Sequence, residues 1–264
     1  MAEQSTLSRR DRQRQATMDE IVAAARTLVP EPGGLTLRAV AQKMGITAPA
    51  LYRYVSNLQD LVELVALDID REAAGLLERA RDSQPADDPA ARIVCASIAF
   101  RRWALAHRAE FSLVFANPVT AGSCQNREEF SSSPSGLVFT ALLVQLWERY
   151  RFPVPALSDL DPDVAEALAD PAFPMPPGAL PPEARGLLWT FMRSWASLYG
   201  TVTLEVFGHL DPSVIESGAM FRTMLEDQAR LFGITDELPR LQPMIDRETG
   251  RETGRETGRG TGRG

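Results

Sequence analysis

The chain has 264 residues, 44% of them hydrophobic and 24% charged. That is enough apolar material for one sizeable core or two modest ones, and it excludes a disulfide-stapled miniprotein and a wholly disordered chain. No apolar run approaches the roughly 18 to 20 residues of a membrane span, and the N-terminal stretch MAEQSTLSRRDRQRQ lacks the apolar segment of a secretory signal. Cys95 and Cys124 are too few for a zinc cluster. The expectation is a soluble, cytoplasmic chain with reduced thiols, no bound metal and no membrane partner. The net charge of −7 is unevenly spread: residues 1–60 carry eight Lys and Arg against six Asp and Glu. Arg9, Arg10, Arg12 and Arg14 are relieved only by Asp11, and they read either as a phosphate-facing arm or as a solvated helix start.

Helical periodicity dominates, with no convincing alternating strand. Met18, Ile21, Val22, Ala25, Leu28 and Val29 mark a first helix stopped by Pro30, Pro32, Gly33 and Gly34. Thr36 caps a short second helix with Ala39, Val40 and Met44 inward, and Gly45 stands where a left-handed C-terminal residue is needed. After Ile46-Thr47, Pro49 falls in the first turn of a very short third helix ending near Val55. Ser56 and Gln59 have capping-box spacing, and Leu58, Leu61, Val62, Val65 and Ile69 carry a fourth helix to about Ala80. Asp88-Pro89 opens a fifth with Ile93, Ala96, Phe100, Trp103, Ala104 and His107 on one face. Glu110 to Ala116 forms a sixth, closed by Asn117-Pro118, and Gly136 to Tyr150 a seventh.

Residues 152–182 hold nine of the nineteen prolines and read as an irregular insertion with a helical turn or two around Asp163 to Leu168. A long apolar helix follows from Glu183 to Gly208, and Asp211-Pro212 opens a last one that runs to Phe232, with Gly233 as its stop. From Arg247 to Gly264 the chain repeats R-E-T-G without an apolar residue, so a disordered tail is expected.

A short helix, a glycine turn and a second short helix are the helix-turn-helix pattern, whose second helix enters the DNA major groove. Residues 36–64, TLRAVAQKMGITAPALYRYVSNLQDLVEL, resemble the signature of the TetR family of transcriptional regulators. Gly45 turns the chain, Ala41 allows close helix approach, and Ile46 and Leu51 pin the recognition helix. Thr47, Ala48, Ala50, Tyr52, Arg53 and Tyr54 are left facing outward or along the groove. Thr47 and the helix N-terminus suit a phosphate, Arg38 or Arg53 a guanine or phosphate, and Pro49 and Ala50 a thymine methyl. The resemblance implies DNA contacts at Arg38, Ala48, Pro49, Tyr52 and Tyr54. Where the family usually has a lysine at the start of helix four stands Leu58, and Asn57 at that helix N-terminus is the alternative phosphate contact.

The resemblance implies an all-α protein: a basic arm over 1–14, a three-helix DNA-binding domain over 15–60, a helical ligand-binding and dimerisation domain over 61–235, and the tail over 247–264. RRWALAHRAEFSLVFANP and Trp195-x-x-x-Tyr199-Gly200-x-Val202-x-Leu204-Glu205 are similar to the WHG-type branch, with Tyr199 where a histidine is usual. Phe100, Trp103, His107, Phe111, Phe115, Trp147, Phe191, Trp195 and Tyr199 either line an apolar effector pocket or are simply core. Ala196, Ser197, Gly200, Thr201, Ser217, Gly218 and Ala219 suit a homodimer seam or internal packing. The function expected is a dimeric repressor of operator DNA released by a small apolar or aromatic effector. An adaptor that keeps the fold without binding DNA is the alternative. An enzyme would need convergent catalytic groups, and the sequence offers only His107 and His209, no H-E-x-x-H, no Walker loop and no G-x-S-x-G. Neither a catalytic residue nor a cofactor is expected.

Overall fold

Ser8 opens the first helix, α1 (Arg9–Arg26), in extended backbone, accepting the Asp11 N–H at 3.2 Å and donating its own hydroxyl to the Asp11 carboxylate at 2.6 Å. With that cap in place the helix-favouring Arg and Gln residues wind at once, so Arg9, Arg10, Arg12 and Arg14 are helical. The expected arm over 1–14 therefore becomes helix from residue 9. The computed structural model describes residues 8–116, 133–169, 180 and 184–248. The Asn117-Pro118 stop, much of the proline-rich insertion and the repeat from 249 onward lie outside them.

The chain is all-helical, with no strand among the described residues. It divides into two compact units, residues 1–72 with 109–126 and residues 73–108 with 127–264.

The first unit contains α1, α2 (Leu37–Met44), α3 (Ala48–Leu51), the first part of α4 (Leu58–Asp82) and most of α6 (Arg108–Phe115). Its core comprises Ile21, Ala25, Val40, Leu51, Val55, Leu61, Val65, Ile69 and Phe111, each at most 2% exposed. Each of these side chains except the small Ala25 contributes about 1.5 to 3 kcal/mol of hydrophobic burial. Polar contacts fix the last turn of α1. Arg26 donates to Glu110 at 2.8 Å and Asp68 at 3.3 Å and also grips Glu72, and Glu110 and Glu72 hold its guanidinium more firmly protonated.

In the second unit α5 (Pro89–Ala106) is central. It packs against α7 (Pro134–Tyr150), α9 (Gly186–Val206) and α12 (Leu238–Glu248). Asp88 caps it as the sequence suggests, accepting from Ala91 N–H at 3.0 Å. Its burial runs almost all round rather than along one face, which suits a helix enclosed by others. His107, expected on the inner face, is the exposed C-cap instead. Arg101 and Glu205 form a buried pair at 2.6 Å, and Arg101 also donates to the Ile215 carbonyl at 2.7 Å and lies 5.4 Å from the centroid of the Phe221 ring. Burial pushes the Glu205 carboxyl above its ordinary range, and the guanidinium pulls part of the way back.

The insertion carries a 3-10 turn (Leu157–Asp159) and α8 (Pro162–Ala169), close to the expected helical turns. The single last helix expected from Pro212 to Phe232 is two, α10 (Pro212–Ser217) and α11 (Ala219–Leu231). Gly218, read from sequence as a packing residue, adopts φ +60° between them and closes α10. Beyond it lies α12, which the sequence reading leaves unassigned. Leu241 and Ile245 are buried in it, and Arg240 grips Asp88 through two bonds of 2.6 and 2.8 Å. Arg247 and Glu248, expected in the tail, belong to α12, and the rest of that stretch lies outside the described residues.

Candidate nucleic-acid interface

Thr36 caps α2, accepting from Ala39 N–H at 3.2 Å. Gly45 ends it at φ +67°, and Ile46 N–H reaches back to the Ala41 carbonyl at 3.0 Å. A residue with a Cβ is strained at that φ, so the turn depends on glycine. Thr47 then starts α3 in extended backbone with no side-chain capping bond. The hydrogen bonds continue past Leu51, with Val55 N–H donating to the Leu51 carbonyl at 3.2 Å, so helical turns reach Val55 as expected.

Burial sorts this segment into two faces. Val40, Ala41, Leu51 and Val55 turn inward. Arg38, Thr47, Ala48, Pro49, Tyr52 and Arg53 are exposed, with Tyr52 at 54%, while Ala50 and Tyr54 are half-buried. The 54% exposed Tyr52, its neighbour in sequence Arg53, and Arg38 on α2 are side chains able to meet base edges and phosphates. The Arg14 guanidinium lies over the Tyr54 ring, 5.8 Å from its centroid.

Asn57 is exposed, and its side chain caps α4. Its Oδ1 accepts from Asp60 N–H at 3.0 Å, its Nδ2 donates to the Asp60 carboxylate at 2.9 Å, and Ser56 N–H donates to the same carboxylate at 3.0 Å. The capping box is therefore Asn57 with Asp60, not Ser56 with Gln59. Hydrogen bonds from Ser56 and Asn57 hold the Asp60 carboxyl below its ordinary range. A carboxylate occupying the N-terminus of α4 opposes a phosphate there. Leu58 beside it is 40% exposed.

The residues expected to line an effector pocket fall into separate groups. Phe100, Trp195 and Tyr199 join Phe139, which the sequence reading missed, in one ring cluster with centroids 5.7 to 5.9 Å apart. Trp103 lies 6.4 Å from Phe100, and the His107 ring stacks 6.0 Å from Trp103. Phe191 is buried in the same unit. Trp147 has its ring covered by Arg151 at 4.6 Å. Phe111 and Phe115 pack on each other at 5.2 Å in the first unit. A cleft of about 260 Å³ in the second unit is lined by Arg108, Gly208, Leu210, Pro212, Ile215 and Glu216, none of them among these residues. Among the described residues, no group of three or more His, Cys, Asp or Glu residues is able to hold a metal, and no helix is long and apolar enough to cross a membrane.

A helix-turn-helix head with an outward recognition face, followed by a helical unit, defines a DNA-binding regulator. Residues 93–228, just over half of the chain, match the family described as Tetracyclin repressor-like, C-terminal domain. The chain is 26% identical over 226 residues to HTH-type transcriptional regulators of Mycobacterium bovis and Mycobacterium tuberculosis, covering 78% of this chain and 90% of each relative. The crystal structure of the regulatory protein SCO4313 shares the fold, with a TM-score of 0.56, 22% identity, and coverage of 84% of this chain and 98% of that one. The chain belongs to the tetracyclin repressor-like family and is a transcriptional regulator of the TetR type.

Proposed function

We propose that this regulator is a homodimeric repressor that reads operator DNA through α2 and α3 and is released by a small apolar or aromatic effector. The observation that carries the reading is the division of the α2–α3 segment. Val40, Ala41, Leu51 and Val55 fix it from within, and Arg38, Thr47, Ala48, Pro49, Tyr52 and Arg53 remain available outside. Ala50 and Tyr54 flank that face, and Asn57 supports it by capping α4. One such head spans only a few base pairs, so two copies on a two-fold site supply the needed specificity. Met192 and Leu204 on α9, Phe207 at its C-cap and Met220 on α11, each at least 40% exposed, favour the second copy on those helices. The ring cluster around Phe100, Trp103, Phe139, Trp195 and Tyr199, with Phe191 and Trp147 in the same unit, supports an apolar effector. Helix α4 runs without a break from residues of the first unit to residues of the second, which favours it as the carrier of the switch.

The test is a gel shift and footprint on the DNA upstream of the protein's own gene, with Arg38→Ala and Tyr52→Ala beside the unaltered protein. A footprint with two-fold symmetry is expected. Loss of about 1 to 3 kcal/mol on the specific site is expected for Arg38→Ala if it forks a guanine. A uniform loss on every sequence makes Arg38 a phosphate contact. Leu58 and the Asp60 carboxylate at the α4 N-terminus favour a second reading, an adaptor that does not bind DNA, and failure to retard any duplex would select it.

A further inference from the structure

The arginines of the first unit differ in what occupies them. Arg26 is held by three carboxylates, Glu110, Asp68 and Glu72. Arg14 lies over the ring of Tyr54 and has neither an ion pair nor a side-chain hydrogen bond among the described residues. A guanidinium held by its face on an aromatic ring uses none of its five N–H donors, so it is oriented and its fork remains open. The position on α1 explains the contact. Ile21 and Ala25 are buried and Met18 is half-buried, and the same stripe continued one turn beyond Met18 toward the N-terminus reaches Arg14. Tyr54 lies three residues past the end of α3, its N–H donating to the Leu51 carbonyl at 2.9 Å, and Leu51 and Val55 are buried. Its half-buried ring contrasts with that of Tyr52, which is 54% exposed.

We propose that Arg14 is a DNA phosphate contact oriented by the Tyr54 ring, so that Tyr54 is a positioning residue rather than a base reader while Tyr52 faces the groove. This rests on the DNA-binding reading above. Because the ring belongs to the segment that follows α3 and the cation to α1, the backbone grip and the recognition helix are fixed in one register.

The experiment uses the full chain and a fluorescein-labelled 30-base-pair duplex of arbitrary sequence, since a phosphate contact is independent of the operator. Affinity is read by anisotropy from about 50 to 200 mM NaCl. Each phosphate neutralised contributes about 0.9 to the slope of log affinity against log salt. Because the homodimer carries two copies of Arg14, Arg14→Ala is expected to flatten the slope by about 1.8, an about 12-fold smaller loss of affinity across this salt range. Tyr54→Leu is expected to flatten it similarly, Tyr54→Phe to restore it, and the double variant Arg14→Ala/Tyr54→Leu to be no flatter than Arg14→Ala. Arg149→Ala, on the exposed last turn of α7, serves as the control with unchanged slope, and far-UV circular dichroism verifies helicity throughout. A wild-type slope in Arg14→Ala overturns the phosphate contact, and a wild-type slope in Tyr54→Leu overturns the positioning role. Absence of salt-dependent binding by the unaltered protein would instead overturn the DNA-binding reading itself, and this proposal with it.

Discussion

Replacing Arg101 by Met removes the guanidinium from a carboxylate with no exposed surface. Three interactions end together: the 2.6 Å bond to Glu205, the 2.7 Å bond to the Ile215 carbonyl, and the cation over the Phe221 ring. Breaking one side of a buried pair costs about 3 to 5 kcal/mol, mostly through the charge left uncompensated. The pH dependence has a definite sign. Burial already raises the Glu205 carboxyl above its ordinary 4.5, and losing Arg101 removes the one cause that lowers it. A folded-state pKa above the unfolded value means that the folded state holds more protons in the interval between them. Stability contributed by this group is therefore present at low pH and declines as pH rises through that interval, by at most about 1.4 kcal/mol per unit. The deficit of Arg101→Met should accordingly be largest near pH 7 and shrink toward pH 5. All four tryptophans, Trp103, Trp147, Trp189 and Trp195, lie in the second unit, so urea unfolding followed by their fluorescence reports on the unit that holds the pair. Adding Glu205→Leu to Arg101→Met should recover at least half of the loss. A loss below about 1 kcal/mol at pH 7, or one that does not shrink on acidification, refutes the reasoning.

Gly45→Ala should destabilise by about 1 to 2 kcal/mol, because nothing lies within 4 Å of the added Cβ and the φ of +67° alone opposes it; an unchanged far-UV melting curve would contradict this. Gly186→Ala should be far worse, at about 3 kcal/mol or more, since its Cβ would stand 1.8 Å from the Pro155 carbonyl oxygen. Urea unfolding read by tryptophan fluorescence is the check. The Asp88–Arg240 fork is partly exposed, so Arg240→Ala should cost only about 0.5 to 1 kcal/mol. Because Arg240 holds the Asp88 carboxyl below its ordinary 3.8, the fork contributes above that pH and is lost as pH falls through the lowered value. Hydrogen-exchange protection of α12 should fall in the same acid range, and protection that persists there would show that buried Leu241 and Ile245 hold the helix unaided.

The helix-turn-helix was legible because its signals are local. Thr36 must cap, Gly45 must turn, and Val40, Leu51 and Val55 must alternate with polar neighbours at helical spacing. The elements missed depend on contacts distant in sequence or on rules that allow two outcomes. Helix α12 contains Pro239 and Pro243, which read as breakers, yet its attachment comes from Asp88, Leu241 and Ile245. Gly218 reads equally well as a close-packing residue and as a helix stop. The sequence leaves arm and helix start both open at Arg9 to Arg14, because Arg and Gln carry helix propensity without apolar periodicity, and the Ser8 cap on Asp11 decides it. At the interface, exposure of Arg38, Tyr52 and Arg53 followed from the pattern of buried neighbours. The pairing of Arg14 with Tyr54 did not, since forty residues separate them. The aromatic stripe predicted which rings would be near the core but not their partners, and so Phe139 was overlooked.

The first unit is assembled from two stretches of chain, residues 1–72 and 109–126. Phe111, with no exposed surface, and Glu110, bound to Arg26 at 2.8 Å, come from the second stretch. A DNA-reading module cut from this protein at the end of its sequence signature would lose both, exposing an apolar floor and leaving Arg26 with only its α4 carboxylates. Anyone grafting this reading head onto another sensor must therefore transplant α6 with it, or supply a host helix that presents a glutamate followed by a large aromatic at the same place. The same requirement acts on natural recombination. Exchange of heads between such regulators by a single crossover after α4 starts from a damaged module, whereas exchanges that carry α6 along keep it whole.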